Sequence, residues 1–392
     1  AGNSIESGGN YNTVVGDEAG TAITTGDNNV AVGYAALDAN TTASNNTAVG
    51  YDALTANTTG TRNVAVGTNA LDANTVGAKN VALGMDALGT NVDGSRSVAV
   101  GDSALAAQEP ASAVDMYNTA VGHGAGAAVT TGVQNTLIGG LAGDAITTGA
   151  ANTAVGYASL GAGVASYYNT AFGSLALQAD TTGRHTVAIG RNAFQAQNNT
   201  TSADMYNVAV GSSAGHSNTT GANNTFLGGK AGFANTTGAG NTALGMRALV
   251  ANTTGGSNIS IGKDSLYAQT TGSSNVAVGV SALQNNTTAS NNTAAGQSAL
   301  FANTTGTDNV ALGANALDAN TTASQNTAVG ASSLGANTTG HSNATLGAYA
   351  LNVNTTGNYN VGIGRNTMAA NTTGSNNIAV GAYALDANTT AS

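Results

Sequence analysis

One pentapeptide governs what this chain can become. Asn-(Val/Thr)-Ala-(Val/Leu/Ile)-Gly recurs along its length, with closing glycines at Gly16, Gly33, Gly50, Gly67, Gly84 and Gly101 and onward to Gly381. The 22 glycines are 17 residues apart, except for two intervals of 21 that end at Gly122 and Gly211. A fixed period of this kind makes each unit a copy of one small element that stacks on its neighbours. The two long intervals lie 89 residues apart, and both carry Asp-Met-Tyr-Asn before the strand, at 115–118 and 204–207. A longer super-repeat built by duplication is therefore superimposed on the short one.

Numbering a unit from its Asn, as in Asn63 to Lys79, separates its parts. Positions 2 to 4 are β-branched or small and read as a short strand. Position 5 is Gly in every unit, as expected where a Cβ would be blocked. Positions 8 and 9 are mostly Ala-Leu, a second short strand or a bend. Positions 12 to 15 are mostly Asn-Thr-Thr-Gly, a turn signature in which Gly and Asn supply unusual dihedrals. Seventeen residues fall short of the ~30 that a βαβ unit needs, and no 3.6-residue periodicity is present. The expected fold is all-β, a parallel β-solenoid (β-roll) of about 22 coils. It forms one array over 1–392, with enlarged turns at 106–117 and 195–206. At ~4.8 Å per coil such an array would make a rod roughly 105 Å long.

Stacked coils turn each position into a column. Position 1 is Asn in 20 of 22 units, Ser97 and Thr186 being the exceptions. Asn12, Asn29, Asn46, Asn63, Asn80, Asn118 and Asn135 are expected to form a ladder of amides. The apolar columns at positions 4 and 9 are expected to be the interior. Position 9 is Gly at Gly20, Gly126, Gly143, Gly215 and Gly232; bulky Leu137 and Phe226 follow Gly126 and Gly215 at position 3, where Ala is the rule, while Ala154 and Ala243 after Gly143 and Gly232 leave the exchange incomplete. That is volume exchange across a packed core, which brings position 3 inside in those coils. Neither face of the strand carries charge. A strand with one wet face should alternate, so another copy of the chain is expected to cover it.

Composition removes other classes. The chain has 55 Gly and no Cys or Trp, and only 4% of its residues are aromatic. Disulfides, thiolate metal sites and a thick globular core are excluded. A net charge of −10 from 7% charged residues excludes a nucleic-acid footprint. No apolar run reaches the ~18 residues of a membrane span. His123, His185, His216 and His341 lie in separate coils, and Asp38, Asp72, Asp318 and Asp386 recur singly at position 10. Without convergence there is no acid–base pair or metal set, so neither an enzyme nor a cofactor is expected. The Asn-Thr-Thr triplets match the glycosylation acceptor pattern but read as turn chemistry. Tyr34, Tyr51, Tyr157, Tyr349 and Tyr383 follow the strand glycine and are expected to cover turn edges or a seam between chains, with sugar contact as the alternative.

The units Asn-Val-Ala-Val-Gly-x-x-Ala-Leu resemble the Asn-x-Val-Ala-Ile-Gly-x-x-Ser/Ala repeats in YadA-like heads of trimeric autotransporter adhesins. The form with Asn-Thr-Thr-Gly looks like repeats in bacteriophage tail fibres and bacterial tail-fibre-domain proteins. The resemblance runs from about Asn12 to the end, although the adhesin head repeat is shorter. It implies a left-handed roll, a homotrimer and an extracellular shaft or binding head on a cell surface, secreted fibre or virion. Three alternatives accompany it. The incomplete final coil suits an end-to-end filament. The Thr columns at positions 13 and 14 suggest an ice-binding solenoid. The enlarged turns suit recognition of a host-surface receptor or glycan, with the ligand-binding residues unknown.

Overall fold

The computed structural model describes residues 9–199, 201 and 203–391. The chain divides into two compact units, Ala1–Met205 and Tyr206–Ser392. Where the sequence reads as one array, the division falls inside the second enlarged turn. The first unit carries eleven strands, from β1 (Thr13–Val15) to β11 (Val187–Ile189), and the second eleven, from β12 (Val208–Val210) to β22 (Ile378–Val380). No described residue is helical. Each unit is a parallel β-solenoid with one three-residue strand per coil.

Like stacks on like, because the register is the repeat. In the first unit Val30, Thr47 and Val64 align in one row and Ala31, Ala48 and Ala65 in the next. The longer coil keeps the alignment, with Val98 opposite Thr119. Backbone groups are satisfied almost entirely between coils. Thr47 N–H donates to Asn63 O (2.8 Å), Leu54 N–H to Ala70 O (2.9 Å) and Thr58 N–H to Thr75 O (3.0 Å). The Gly50 N–H reaches back to Val32 O at 2.9 Å.

The inside of the coil is not where position 4 suggested. Position 3 is the buried one: Ala31, Ala48 and Ala65 are fully covered, as are Ala70 and Leu71 at positions 8 and 9. Position 4 points outward, and Val66, Phe172, Leu244 and Leu346 are 37, 53, 45 and 53% exposed. Alternation along the strand decides this: positions 2 and 4 share a face, and the narrow coil takes mostly a small residue, usually Ala, opposite the inward Leu. Position 9 is a turn residue rather than a strand residue.

The volume exchange is complete. A Cβ on Gly126 or on Gly143 would lie 2.7 Å from a δ-methyl of Leu137, so one leucine fills the space left in two coils. A Cβ on Gly232 would lie 2.6 Å from the Phe226 ring. The sequence also holds an exchange not expected from position 3. Where position 9 is Gly20, Gly126 or Gly143, position 12 is Ile23, Val129 or Ile146 instead of Asn, and all three are buried.

The unusual dihedrals are elsewhere than the Asn-Thr-Thr-Gly turn. They fall at positions 5, 7, 9 and 17. Leu71 has φ 53° and Leu88 φ 53°, a left-handed conformation rarely taken by a bulky residue. Each such leucine costs about 1–2 kcal/mol of backbone strain. Burying its side chain returns ~2–3 kcal/mol, so the bend that turns it inward is favoured on balance. The strand glycine is different. Gly16, Gly33, Gly50, Gly67, Gly84 and Gly101 hold φ of 133° to 142°. A Cβ there would meet backbone of the next coil, for example Gly84 O at 2.6 Å from Gly67.

The contrast between two glycines tests this. At Gly279, φ is +136° and a Cβ would sit 2.5 Å from Gly296 O, whereas at Gly229 nothing lies within 4 Å. We expect Gly279→Ala to destabilise the protein by about 3 kcal/mol or more. Gly229→Ala should shift stability by less than ~0.5 kcal/mol. Thermal denaturation followed by circular dichroism separates the two.

Candidate functional site: two buried amide ladders and the turns that interrupt them

The most ordered polar arrangement in the molecule is internal. At position 1, each Asn side-chain oxygen accepts the backbone N–H of the Asn one coil on. Asn12 takes Asn29 N–H, Asn29 takes Asn46, Asn46 takes Asn63 and Asn63 takes Asn80, each at 2.9 Å. Asn118 and Asn135 continue the pattern at 2.9 Å. The column thus runs from side chain to backbone more than from amide to amide.

The amide-to-amide ladder lies at position 12, in residues read from sequence as a turn. Asn57 donates to Asn40 Oδ1 (2.8 Å) and to its own coil's Gly60 O (3.0 Å), and accepts from Asn74 Nδ2 (2.9 Å). The same Gly60 carbonyl also accepts from Asn46 Nδ2 at 2.8 Å. Both columns therefore converge on the position-15 carbonyl, and Asn46 and Asn57 are fully buried. Acceptor Asn residues of the glycosylation triplets, Asn57 and Asn303 among them, are sealed inside the fold, although Asn388 in the last coil is only part-buried.

The two exceptions in the position-1 column now have a reason. Ser97 and Thr186 open the two enlarged coils, and position 12 is Gln in both, Gln108 and Gln197. Gln108 Oε1 accepts from Ser97 Oγ (3.1 Å) and Asn118 Nδ2 (2.9 Å), while its Nε2 donates to Asn91 Oδ1 (2.9 Å). Gln197 Nε2 donates to Thr186 Oγ1 at 3.0 Å. The longer amide replaces the position-15 carbonyl, and the shorter hydroxyl makes room for it. The Asp-Met-Tyr-Asn motif returns the chain to register. Met116 is fully buried and Met205 is 2% exposed. Ser95 pairs with Asp115, and Arg184 with Asp204, through single parallel bridges. Arg96 Nε binds Asp115 Oδ1 at 2.8 Å and its guanidinium lies over the Tyr117 ring, while His185 Nε2 is 3.6 Å from Asp204 Oδ1. Of the first turn, 111–115 face solvent. In the second, residues 200 and 202 lie outside the described residues.

The four histidines stay apart. His185 stacks on Tyr168 and His216 on Phe233, with centroids 5.1 and 4.9 Å apart, and His341 meets Tyr359 edge-on. Among the described residues no group of three or more His, Cys, Asp or Glu could hold a metal ion. Tyr34 and Tyr51 stack at 5.2 Å, and Tyr157, Tyr349 and Tyr383 are exposed at their corners. Glu18, hydrogen bonded to Tyr34, pushes the Tyr34 hydroxyl up to about 12. The Thr hydroxyls of position 13 are spent within the stack, Thr58 on Thr75 O and Thr304 on Thr321 O. They therefore offer no donor to an ice lattice. At position 10, burial pushes the carboxyls of Asp72, Asp144 and Asp318 up against the opposing effect of nearby backbone N–H groups.

One carboxylate stands inside the ladder. The position-12 column of the first unit passes through Gly163, Asp180 and Gln197. Asp180 is fully buried. Its Oδ1 faces the N–H groups of Gly183 (3.2 Å) and Asn199 (3.4 Å). Among the described residues its Oδ2 has no partner, and neither has the buried Ser166 Oγ. Loss of hydration pushes the Asp180 carboxyl up to about 6, partly opposed by those N–H donors and by Gln197.

In comparison with known proteins, no family model matches the chain and no curated protein matches it closely enough to carry an argument.

Two substitutions test the ladder. Asn303 bonds Asn286, Gly306 and Asn320 at 2.9 Å each. Asn303→Ala strands two of these partners and should cost about 2–4 kcal/mol in thermal or urea denaturation. Asp180 has a folded pKa above its unfolded value, so its contribution is present at acid pH and lost as pH rises from about 4 to about 6. Asp180→Asn should raise stability at pH 7 by roughly 3 kcal/mol. It should also flatten the fall in melting temperature that the parent protein shows across that interval.

Proposed function

We propose that this chain is a structural fibre protein, a homo-oligomeric β-solenoid forming the shaft or head of an extracellular adhesin, surface fibre or phage tail fibre. The observation that supports it most is the outer face of the strands. Positions 2 and 4 carry no charge in any coil. Within each unit they present a continuous band of Val, Thr, Leu and Ile that is partly open to solvent. Val210, Val278 and Leu312 are 37 to 38% exposed and Ile363 is 40% exposed. Stacked over eleven coils, the band is on the order of several hundred Å², the size of patch that is often an interaction surface.

Commensurability names the partner. A band that repeats every ~4.8 Å is matched along its whole length only by a surface with the same spacing, and a second copy has it. The rest of the molecule fits a structural role: its polar groups are committed to the coil interior, and its titratable groups do not converge. The resemblance to adhesin and tail-fibre repeats points the same way and supports an extracellular setting.

Native mass spectrometry and sedimentation test the proposal. The parent protein should be a defined oligomer at micromolar concentration. A Val278→Lys, Leu312→Lys variant should be a folded monomer, since both side chains already reach solvent within one chain. A monomeric parent protein, or an oligomer indifferent to the two lysines, would overturn it.

A further inference from the structure

A turn of the coil contains a recurring notch at position 10. At three places an Asp at position 10 is followed one coil later by a Gly at the same position: Asp72 and Gly89, Asp144 and Gly161, Asp318 and Gly335. The missing side chain leaves space beside a carboxylate that is itself part-buried. A Cβ on the glycine would stand 3.5, 3.4 and 3.3 Å from Oδ1 of the respective Asp. In each case the carboxylate is steadied by the backbone N–H of the Asp and of the Ala after it. These are fixed, part-buried acceptors at the edge of the space that the glycine leaves.

The middle notch has walls. There the depression widens to about 360 Å³ and is lined by Leu141, Asp144, Tyr157, Gly161 and Gln178. Tyr157 is 58% exposed, and its ring lies beside Gly140, whose Cβ would be 3.8 Å away. Gln178 Oε1 accepts from Gln195 Nε2 at 2.9 Å. This holds the amide in one orientation and leaves its Nε2 as a donor. The corresponding places beside the other two notches are Met85 and Ala106, and Ala331 and Asn352. Neither offers an aromatic ring.

We infer that the Asp144–Tyr157–Gln178 cleft is a carbohydrate subsite for one neutral pyranose. An aromatic face takes the apolar C–H face of a sugar ring. A carboxylate accepts from hydroxyl pairs with charge-assisted strength, and an amide N–H donates to a neighbouring sugar oxygen. Asp144 also sets the class, since it repels a uronic or sialic acid and accepts from a neutral hexose. A single open subsite of this size holds its ligand at about millimolar Kd.

Saturation-transfer difference NMR on the full chain tests it, with methyl glycosides of glucose, galactose and mannose as probes and glucuronic acid as the charged comparison. At least one neutral glycoside should receive saturation and glucuronic acid should not. Tyr157→Ala and Gln178→Ala should each weaken binding at least tenfold with an unchanged melting temperature, and Tyr157→Phe should keep it. Gly161→Val, which fills the notch, should abolish it. No transfer to any neutral glycoside would overturn the inference. So would equal transfer to glucuronic acid, or binding by Tyr157→Ala within twofold of the parent.

Discussion

Each regular coil buries two primary amides that it cannot satisfy alone. A buried amide without partners costs a few kcal/mol, so an isolated coil of this sequence has no stable form. Asn57 shows the solution. It gives one hydrogen to the coil before and one to its own turn, and it takes one from the coil after. Cohesion along the stack is therefore specified chemically as well as by apolar contact. The register cannot slip by one residue without breaking both ladders and placing an Asn against an Ala.

The rest of the coil follows from making room for those amides. The interior holds two Ala, one Leu and two Asn, and little else fits. Bulk can be moved but not added, so Leu137 enters only where Gly126 and Gly143 give way. An apolar side chain at position 12 appears only where a leucine is missing. The left-handed leucines and the strand glycine are the backbone's part in keeping the coil this tight. Since the core needs only one face of a three-residue strand, the other face is left with aliphatic side chains that the chain itself does not cover.

Much of this was legible in the sequence because a repeat writes each structural position many times. The period gave the parallel register, and the invariant glycine gave the close approach. The exchange between Gly126 and Leu137 showed that position 3 enters the core. Other features were hidden for physical reasons. Position 4 is apolar in every coil and so reads as interior, but apolarity alone cannot say on which side of a pleat a residue falls. Asn in Asn-Thr-Thr-Gly has strong turn chemistry of its own, which masked the second ladder. The left-handed leucines could not be foreseen from propensity, which argues against them. The notch at Asp144 was visible as Asp followed by Gly one period later, but only the placement of Tyr157 and Gln178 gave it walls. Ser97 and Thr186 looked like drift until Gln108 and Gln197 were seen opposite them.

The two ladders have a consequence for how such a protein changes over time. No bond in them reaches further than one step of the stack, and no residue senses how many steps lie beyond the next. The molecule thus carries no internal ruler. Excising or copying a whole unit leaves each surviving amide with an equivalent neighbour, whereas losing part of a unit breaks every column at once. Recombination between near-identical stretches can lengthen or shorten such an array freely, and natural selection then acts on reach rather than on foldability.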